Sequence, residues 1–241
     1  MNCKSLFAVV GLAAIAGSIA FAQPAKESKP APAQPTKPAA PAAKPSGQPE
    51  AGMPGMTEQQ MKDMQACMEA GTPGKEHAEL AKCVGTWAGK TKMWMAPEAT
   101  EPMTSECTQT CASIMDGRFI KIEVKGDMGG MPFNGFGITG FDNVSKKYTS
   151  SWIDNMGSGI MQGTGVASEG GKVITFTYNY NCPITKKPAT MREVHTHTSP
   201  DAYTLAMFGA DPHSGKEFKM MEIAFTRKSS ATSAVPTTGT R

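Results

Sequence analysis

The sequence predicts an all-β protein, a roughly ten-stranded antiparallel meander barrel with one or two short N-terminal helices. Turn signals recur about every 8 to 15 residues after position 95, which divides the chain into short strands. Apolar and polar residues alternate most clearly in residues 118–124, where Ile120, Ile122 and Val124 share one face. Short links favour a meander, and a meander of this length removes its exposed edges by closing.

The N-terminus has the pattern of a secretory signal peptide. Residues 1–22 contain one lysine, Lys4, then an apolar run over residues 6–19 and a small-x-small cleavage signal ending at Ala22. No other segment approaches the roughly 20 apolar residues that a membrane-spanning helix needs. We therefore expect an exported protein, in the periplasm, the envelope or the medium, that does not span the membrane.

The next segment, residues 23–55, is rich in proline, alanine and lysine and has eight prolines between Pro24 and Pro49. Such a composition cannot bury enough apolar surface to offset the entropy of ordering, so we expect a disordered tether. The folded domain is expected over residues 56–228, and residues 229–241 are expected to form a disordered tail.

A helix is predicted between the tether and the barrel. Thr57 and Gln60 have the spacing of a capping box, and Met61, Met64 and Met68 follow at helical spacing, so the expected helix covers residues 57–70. These methionines are expected to pack on the barrel, because methionine is an adaptable filler. A second short turn over residues 76–82 leads into the first strand.

The charge of the folded part excludes one class of partner. From position 51 onward the chain has 19 basic and 19 acidic residues. A neutral domain lacks the basic surface that nucleic acid requires, so no nucleic-acid partner is expected.

Two features of the sequence resemble those of the lipocalin and calycin barrels. The predicted first strand starts with Gly85-x-Trp87, and the predicted last strand ends with Arg227. The resemblance implies that Trp87 is buried at the closed end under the Arg227 side chain. Gly85, Trp87 and Arg227 are therefore expected to be structural.

A wider set of motifs is similar to an uncharacterised family of exported bacterial proteins, domain of unknown function 1579, over roughly residues 74–228. The motifs are Gly85-Thr86-Trp87-Ala88-Gly89, Asp116-Gly117-Arg118-Phe119, Gly140-Phe141-Asp142, Trp152-x-Asp154 and Glu222-Ile223-x-Phe225-x-Arg227. This resemblance implies fold and export, and it assigns no activity.

The best-supported function is binding of a small apolar molecule in the barrel lumen, because a barrel of about ten strands can enclose a cavity. The expected ligand-binding residues are four aromatic side chains that line the lumen and two polar ones that fix the ligand. They are Trp94, Trp152, Phe176 and Tyr178, with Arg118 and Asp154.

A haem or metal site is the first alternative. His195 and His197 alternate on one strand face together with Met191 and Glu193, and imidazole is a common metal ligand. Some calycin barrels bind haem and share the Gly-x-Trp-x-Gly opening. The simpler interpretation is that these histidines are ordinary residues of a polar strand face.

Copper is a second cofactor alternative. The chain has 18 methionines, and Met53, Met56, Met61, Met64 and Met68 with Cys67 form a group of soft ligands suited to Cu(I). An unrecognised enzyme and an envelope-associated structural module also stay open, although no nucleophile elbow, catalytic base or carboxylate pair is visible.

Five cysteines remain after removal of the signal peptide, and disulfides are expected in an exported chain. In an extended strand the α-carbons of Cys107 and Cys111 would lie about 13 Å apart, too far for a bridge. The preferred pair is Cys67 with Cys83, which would join the helix to the first strand. The other pairings stay open, as does the oligomeric state.

Overall fold

The structure is a computed structural model and describes residues 55–228. Within this range the chain forms two helices, α1 (Glu58–Gly71) and α2 (Lys75–Ala81), followed by ten strands. The strands are β1 (Gly85–Met93), β2 (Met103–Ile114), β3 (Phe119–Asp127), β4 (Pro132–Asp142), β5 (Lys147–Asp154), β6 (Met161–Ser168), β7 (Val173–Asn181), β8 (Pro188–Ser199), β9 (Ala202–Ala210) and β10 (Glu217–Arg227). The expected signal peptide, most of the tether and the C-terminal tail lie outside the described residues.

Each strand pairs antiparallel with the next along the chain, and β1 pairs with β10 to close the barrel. The predicted ten-stranded antiparallel meander barrel is therefore confirmed. Closure sets Trp87 opposite Arg227 in the β1–β10 ladder. A closed ring leaves no unpaired strand edge that another chain could pair with.

Helix α1 begins where the capping box predicts. The Thr57 hydroxyl accepts a hydrogen bond from the Gln60 backbone N–H at 3.2 Å, and the Gln60 side chain accepts one from the Thr57 N–H at 2.8 Å. The expectation that its methionines pack on the barrel is wrong for Met68, which is 61% exposed, whereas Met61 and Met64 are half-buried.

The C-terminal end of α1 is held to the barrel through backbone carbonyls. The Asn143 side-chain amide donates to the carbonyls of Ala70 and Thr72, at 3.0 and 2.8 Å. Helix α2 follows and covers this end of the barrel, with His77 buried edge-on against Phe141. We call this end, where β1 begins and β10 finishes, the closed end.

The closed end has its own packed cluster, formed by Trp87, Tyr203, Leu205, Ile223 and Phe225. Trp87 is 2% exposed, and the guanidinium of Arg227 lies 4.1 Å from the centre of its ring. A guanidinium over an indole face adds a cation–π attraction to the apolar burial. This arrangement is the one that the lipocalin resemblance implied.

Arg227 also ties the strand ends together. Its guanidinium donates to the carbonyls of Lys82, Val84 and Pro200 at 2.7 to 3.1 Å, and its Nε donates to the Asp201 carboxylate at 2.9 Å. One side chain thus holds the segment before β1, the β8–β9 turn and the end of β10. A lysine has too few donors to replace it.

Candidate functional site

A cavity of about 950 Å³ occupies the barrel above the closed-end cluster. It extends from Glu79 and Leu80 near the end of α2 to the loops after β5 and β7, residues 155–160 and 181–183, which we call the mouth. A volume of this size is within the range of small-molecule sites. Five members of a second cluster of buried residues line it, Ile174, Phe176, Tyr178, Met191 and Met220, and Tyr148 belongs to the same cluster.

Glycines keep this lumen open. A Cβ atom added to Gly163 would lie 2.8 Å from the Tyr178 ring, and one added to Gly165 would lie 2.7 Å from the Phe176 ring. The strand register sets these pairs side by side on β6 and β7. Each aromatic ring therefore lies flat over a neighbouring glycine and does not extend across the lumen.

An aromatic ring also packs over glycines between β4 and β5. The Trp152 ring lies over Gly135 and Gly137, so closely that neither position has room for a side chain. The indole N–H of Trp152 donates to the Asp154 carboxylate at 2.9 Å, which fixes the ring in this position. We call these three strand-pair contacts, around Trp152, Phe176 and Tyr178, the glycine-backed wall.

One buried carboxylate lies in the lumen. Glu193 is 7% exposed, and its Oε1 lies 2.6 Å from Nε2 of His195. His195 in turn stacks on the ring of Tyr203, which also stacks on His197. Glu193, His195 and His197 thus form a polar strip along the lumen face of β8.

Burial lowers the pKa of His197, and the charges of His195 and Lys82 act in the same direction. The neutral imidazole is therefore the favoured form at this position. Neutral imidazole accepts as well as donates hydrogen bonds, so His197 can contact either kind of ligand group.

A second group of polar side chains lies on β7, β5 and β4. The Tyr178 hydroxyl donates to Ser150 Oγ at 2.9 Å, and Ser150 shares a hydrogen bond of 3.0 Å with Thr139. Burial raises the pKa of Tyr178, and the charge of Glu193 raises it further, so the hydroxyl stays protonated. These groups offer hydrogen bonds to a ligand without bringing a charge of their own.

Thiols lie at the base of the lumen. Cys83 and Cys111 both line it, and the two thiols are neighbours. Gln109 Nε2 donates to Cys111 Sγ at 3.1 Å and to the Tyr203 hydroxyl at 2.6 Å. The contact with Cys83 lowers the pKa of Cys111, whereas the same contact and burial raise the pKa of Cys83.

Four of the six predicted ligand-binding residues line this cavity: Trp152, Asp154, Phe176 and Tyr178. Trp94 does not, because it lies one residue beyond β1, on the parity opposite to the inward residues Thr91 and Met93. Its ring packs on the outside of the barrel, 4.6 Å from Lys219 Nζ. The expectation that Trp94 lines the lumen is therefore wrong.

The expectation that Arg118 binds the ligand is also wrong. It lies in the turn between β2 and β3, where its Nε donates to the Gly71 carbonyl at 2.9 Å and its Nη1 donates to the Met115 carbonyl at 3.2 Å. It therefore fixes the end of α1 to the outside of the barrel and does not reach a ligand.

The predicted Cys67–Cys83 bridge is not formed. Cys67 is exposed on α1, and both thiols are free. The strand register explains the difference, because pairing of Gly85 with Cys111 brings β2 beside the residues just before β1. The neighbour of Cys83 is therefore Cys111.

The two histidines on which the haem and metal hypothesis depends do lie on the lumen, and they are not part of a solvent-facing strand face. Nε2 of His195 is occupied by Glu193. Among residues 55–228, no group of three or more His, Cys, Asp or Glu side chains is arranged to hold a metal ion. Haem, metal and copper binding stay predictions, and Met53 of the copper group lies outside the described residues.

Sequence comparison identifies the family. Residues 72–227 match the model of a family described as protein of unknown function, DUF1579. The chain belongs to the DUF1579 family. Among curated protein sequences, none matches the chain.

The DUF1579 barrel is similar to two solved natural structures. The crystal structure of Rv2717c from M. tuberculosis is 13% identical, with a TM-score of 0.49, and covers 66% of this chain and 100% of that chain. The S-type phycobiliprotein lyase CPES from Guillardia theta is 12% identical, with a TM-score of 0.43, and covers 66% of this chain and 99% of that chain. A third solved structure, EF1p2_mFAP2b bound to DFHBI, is 10% identical with a TM-score of 0.36, and covers 64% of this chain and 100% of that chain. Within residues 55–228, none of the helices of the DUF1579 protein has the length and apolar character to cross a bilayer.

Sequence reasoning missed most of the methionines in the DUF1579 lumen. Seven methionines line the cavity, and they are Met128, Met156, Met161, Met191, Met207, Met220 and Met221. The large methionine count could have indicated a methionine-rich lumen. Only the methionines of the N-terminal helix recur at a regular spacing, so they alone gave a local pattern. Glu193, Gln109 and Tyr203 were missed as site residues because their meeting depends on the strand register.

Proposed function

We propose that this DUF1579 domain binds a small, mainly apolar molecule that is neutral or cationic, in the lumen of the barrel. The observation that carries the proposal is the cavity of about 950 Å³, whose exposed lining is mostly apolar. Burial of apolar ligand surface in such a cavity is worth roughly 25 cal/mol per Å² before the costs of association.

The lining supports an aromatic or otherwise polarisable ligand. Seven methionines and the glycine-backed wall meet in the lumen. Thioether sulfur makes favourable contacts with aromatic rings, and the flexible methionine side chain adapts to irregular shapes. Flat aromatic rings such as those of Phe176 and Trp152 favour stacking or edge contacts with a ligand ring.

The charge of the lumen supports the exclusion of acids. The acidic lining residues are Glu79, Asp154 and Glu193, and among residues 55–228 no lysine or arginine lines the cavity. A ligand carboxylate would therefore lose its water shell without gaining a cationic partner. A cationic or hydrogen-bond-donating group could instead contact Glu193.

A matched set of probes tests this proposal: diphenylhexatriene, its trimethylammonium derivative and its propionic acid derivative share one fluorophore and differ in charge. We expect the neutral and cationic probes to bind the purified protein at least about tenfold more tightly than the acid, a difference of about 1.4 kcal/mol. Glu193→Gln should reduce the advantage of the cationic probe over the neutral one. A preference for the acid would contradict the proposal.

Two variants locate the binding. Ser150→Phe places a ring in the lumen, whereas Thr149→Phe places the same ring on the outer face of the same strand, where Thr149 is exposed. We expect Ser150→Phe to weaken all three probes and Thr149→Phe to leave them unchanged, with circular dichroism as the check on folding. Equal binding by the two folded variants would show that the probes bind the surface.

We further propose that binding takes place outside the cytoplasm. The pattern of residues 1–22 supports export, and the proline-rich residues 23–55 support a spacer between the domain and a surface. Fractionation of the source cells, with mass measurement of the N-terminus, tests this. We expect an envelope or extracellular protein that begins at Gln23; an uncleaved cytoplasmic chain would contradict the proposal.

A further inference from the structure

The base of the lumen contains two thiols in contact. Cys111 is buried on β2 and Cys83 lies just before β1, and both line the cavity. The ladder pairs Gly85 with Cys111, so Cys83 is two residues from the partner of Cys111. The two thiols lie close enough for each to shift the pKa of the other. Two thiols held together in this way are placed for bridge formation.

Surrounding contacts fix the backbone of Cys83. The Trp87 indole N–H donates to the Cys83 carbonyl at 2.8 Å. Arg227 donates to the carbonyls of Lys82 and Val84, on either side of Cys83, at 2.8 and 2.7 Å. Cys83 is therefore held toward Cys111 by the same residues that close the barrel.

The environment of Cys111 favours its thiolate. The Gln109 amide donates to its sulfur at 3.1 Å, and the neighbouring Cys83 thiol lowers the pKa of Cys111. The Arg227 charge is favourable to the thiolate as well. Since the thiolate is the reactive form of cysteine, Cys111 is the attacking member of the pair and Cys83 is the resolving member.

We propose that Cys83 and Cys111 form a reactive dithiol that disulfide-bearing molecules oxidise to an intramolecular bridge. In the first step the Cys111 thiolate attacks one sulfur of the oxidant, its S–S bond breaks, and one thiolate leaves. In the second step Cys83 loses its proton to solvent and attacks Cys111, and the second thiolate leaves. The dithiol loses two electrons, and the oxidant disulfide gains them.

The bridge links the segment that carries α2 to β2 at the base of the lumen. Glu79 and Leu80 on α2 line the cavity, so oxidation would lock one of its walls. Because the bridge restricts the unfolded chain, the oxidised form should be the more stable one. The proposal does not depend on the identity of the lumen ligand.

The test uses 4,4′-dithiodipyridine, a small apolar disulfide that releases a coloured thiopyridone at each step. The full chain, with Cys67→Ser to remove the exposed thiol, is oxidised, the remaining thiols are alkylated, and the peptides are mapped by mass. We expect release of two thiopyridones from this site and a peptide cross-linked between Cys83 and Cys111. We also expect the melting temperature to rise by several degrees.

Single cysteine variants distinguish formation of the adduct on Cys111 from formation of the bridge to Cys83. Cys83→Ser should leave a pyridyl adduct on Cys111 without a bridge, and it should remove the rise in melting temperature. Cys107→Ser, on the same strand as Cys111, is the matched control and should form the bridge as the parent does. Circular dichroism checks that each variant is folded.

Two results would overturn the proposal. One is recovery of Cys83 and Cys111 as separate alkylated thiols after oxidation of the folded protein. The other is a bridge from Cys83 to Cys67 in the unmodified chain, which would restore the pairing expected from sequence.

Discussion

At the closed end of the barrel, Trp87, Tyr203 and Phe225 pack against one another, with ring centres 4.7 to 5.0 Å apart, and they fill the space between the strands. Further along the lumen, Trp152, Phe176 and Tyr178 are just as large, yet a cavity remains beside them. The difference lies in the neighbouring strand. Glycines behind all three rings of the second group let each ring lie on the wall. In the first group only Phe225 has a glycine behind it, Gly89, and the rings of Trp87 and Tyr203 meet edge to face.

Stability and ligand binding should therefore depend on different parts of one sheet, the closed end and the lumen. The closed end should carry the larger part of the free energy of folding, because packed aromatic rings make many contacts and exclude water. The lumen should carry the ligand, because apolar surface that remains uncovered is available to it. Four substitutions test the separation, from the largest expected effect to the smallest.

Trp87→Ala should lower the free energy of unfolding by about 3 to 5 kcal/mol, since it removes a large buried side chain and leaves Arg227 without its ring. Denaturant unfolding measures the change. Trp94→Ala is the control, because Trp94 lies on the outer surface, and it should cost far less. Equal losses for the two variants would show that the closed-end cluster is not the main source of stability.

Gly163→Ala should push the Tyr178 ring toward the lumen, because the added Cβ would lie 2.8 Å from it. Overpacking of this kind costs about 1 to 3 kcal/mol. The dissociation constant of the neutral probe should rise as well. Gly71→Ala at the end of α1, outside the lumen, where an added Cβ meets nothing within 4 Å, should change neither quantity. Unchanged binding in Gly163→Ala would mean that the wall glycines do not control the space.

Arg227→Lys should cost roughly 1 to 2 kcal/mol, because lysine keeps the charge but loses the fork of donors and the planar contact with Trp87. Probe binding, measured at a temperature where both proteins are folded, should be unchanged. A loss of binding without a loss of stability would place Arg227 in the ligand site and contradict its structural assignment.

The smallest effect expected is a pH dependence from His197. Its pKa in the folded protein is lowered by burial, so the unfolded chain binds a proton more readily. Stability should therefore fall as the pH falls below the unfolded value of about 6.5, and it should be independent of this group above that value. In His197→Phe this part of the slope, measured by unfolding between pH 5 and about 7.5, should disappear. An unchanged slope would assign the titration to another group.

Local patterns were sufficient to predict the fold. Alternation at Ile120 and Val124, the spacing of turns and the capping box at Thr57 all depend on near neighbours in sequence. The barrel topology follows from short links between consecutive strands. Trp94 was misplaced although parity indicates its position: Thr91 and Met93 face inward, so Trp94, one residue further along, faces outward.

The lumen was harder to predict, because it depends on register between strands. Gly163 and Gly165 lie within β6 and face the rings of β7, and no local pattern in the sequence indicates these pairs. Nothing in the spacing of Cys83 and Cys111 indicates their contact, which results from pairing of β1 with β2. The residues that meet in a site built from several strands can therefore be predicted only when the pairing register of those strands is known.

Closure of β1 on β10 determines the end of the barrel at which the domain can be attached to a surface or a partner. Trp87 and Arg227 are ladder partners, so the first strand starts and the last strand finishes at the same end of the barrel. The lumen opens at the other end, near residues 155–160. The described chain therefore leaves β10 at the end of the barrel opposite these loops, so attachment through the C-terminal segment, to a bead, a partner domain or a cell surface, joins the barrel away from its entrance.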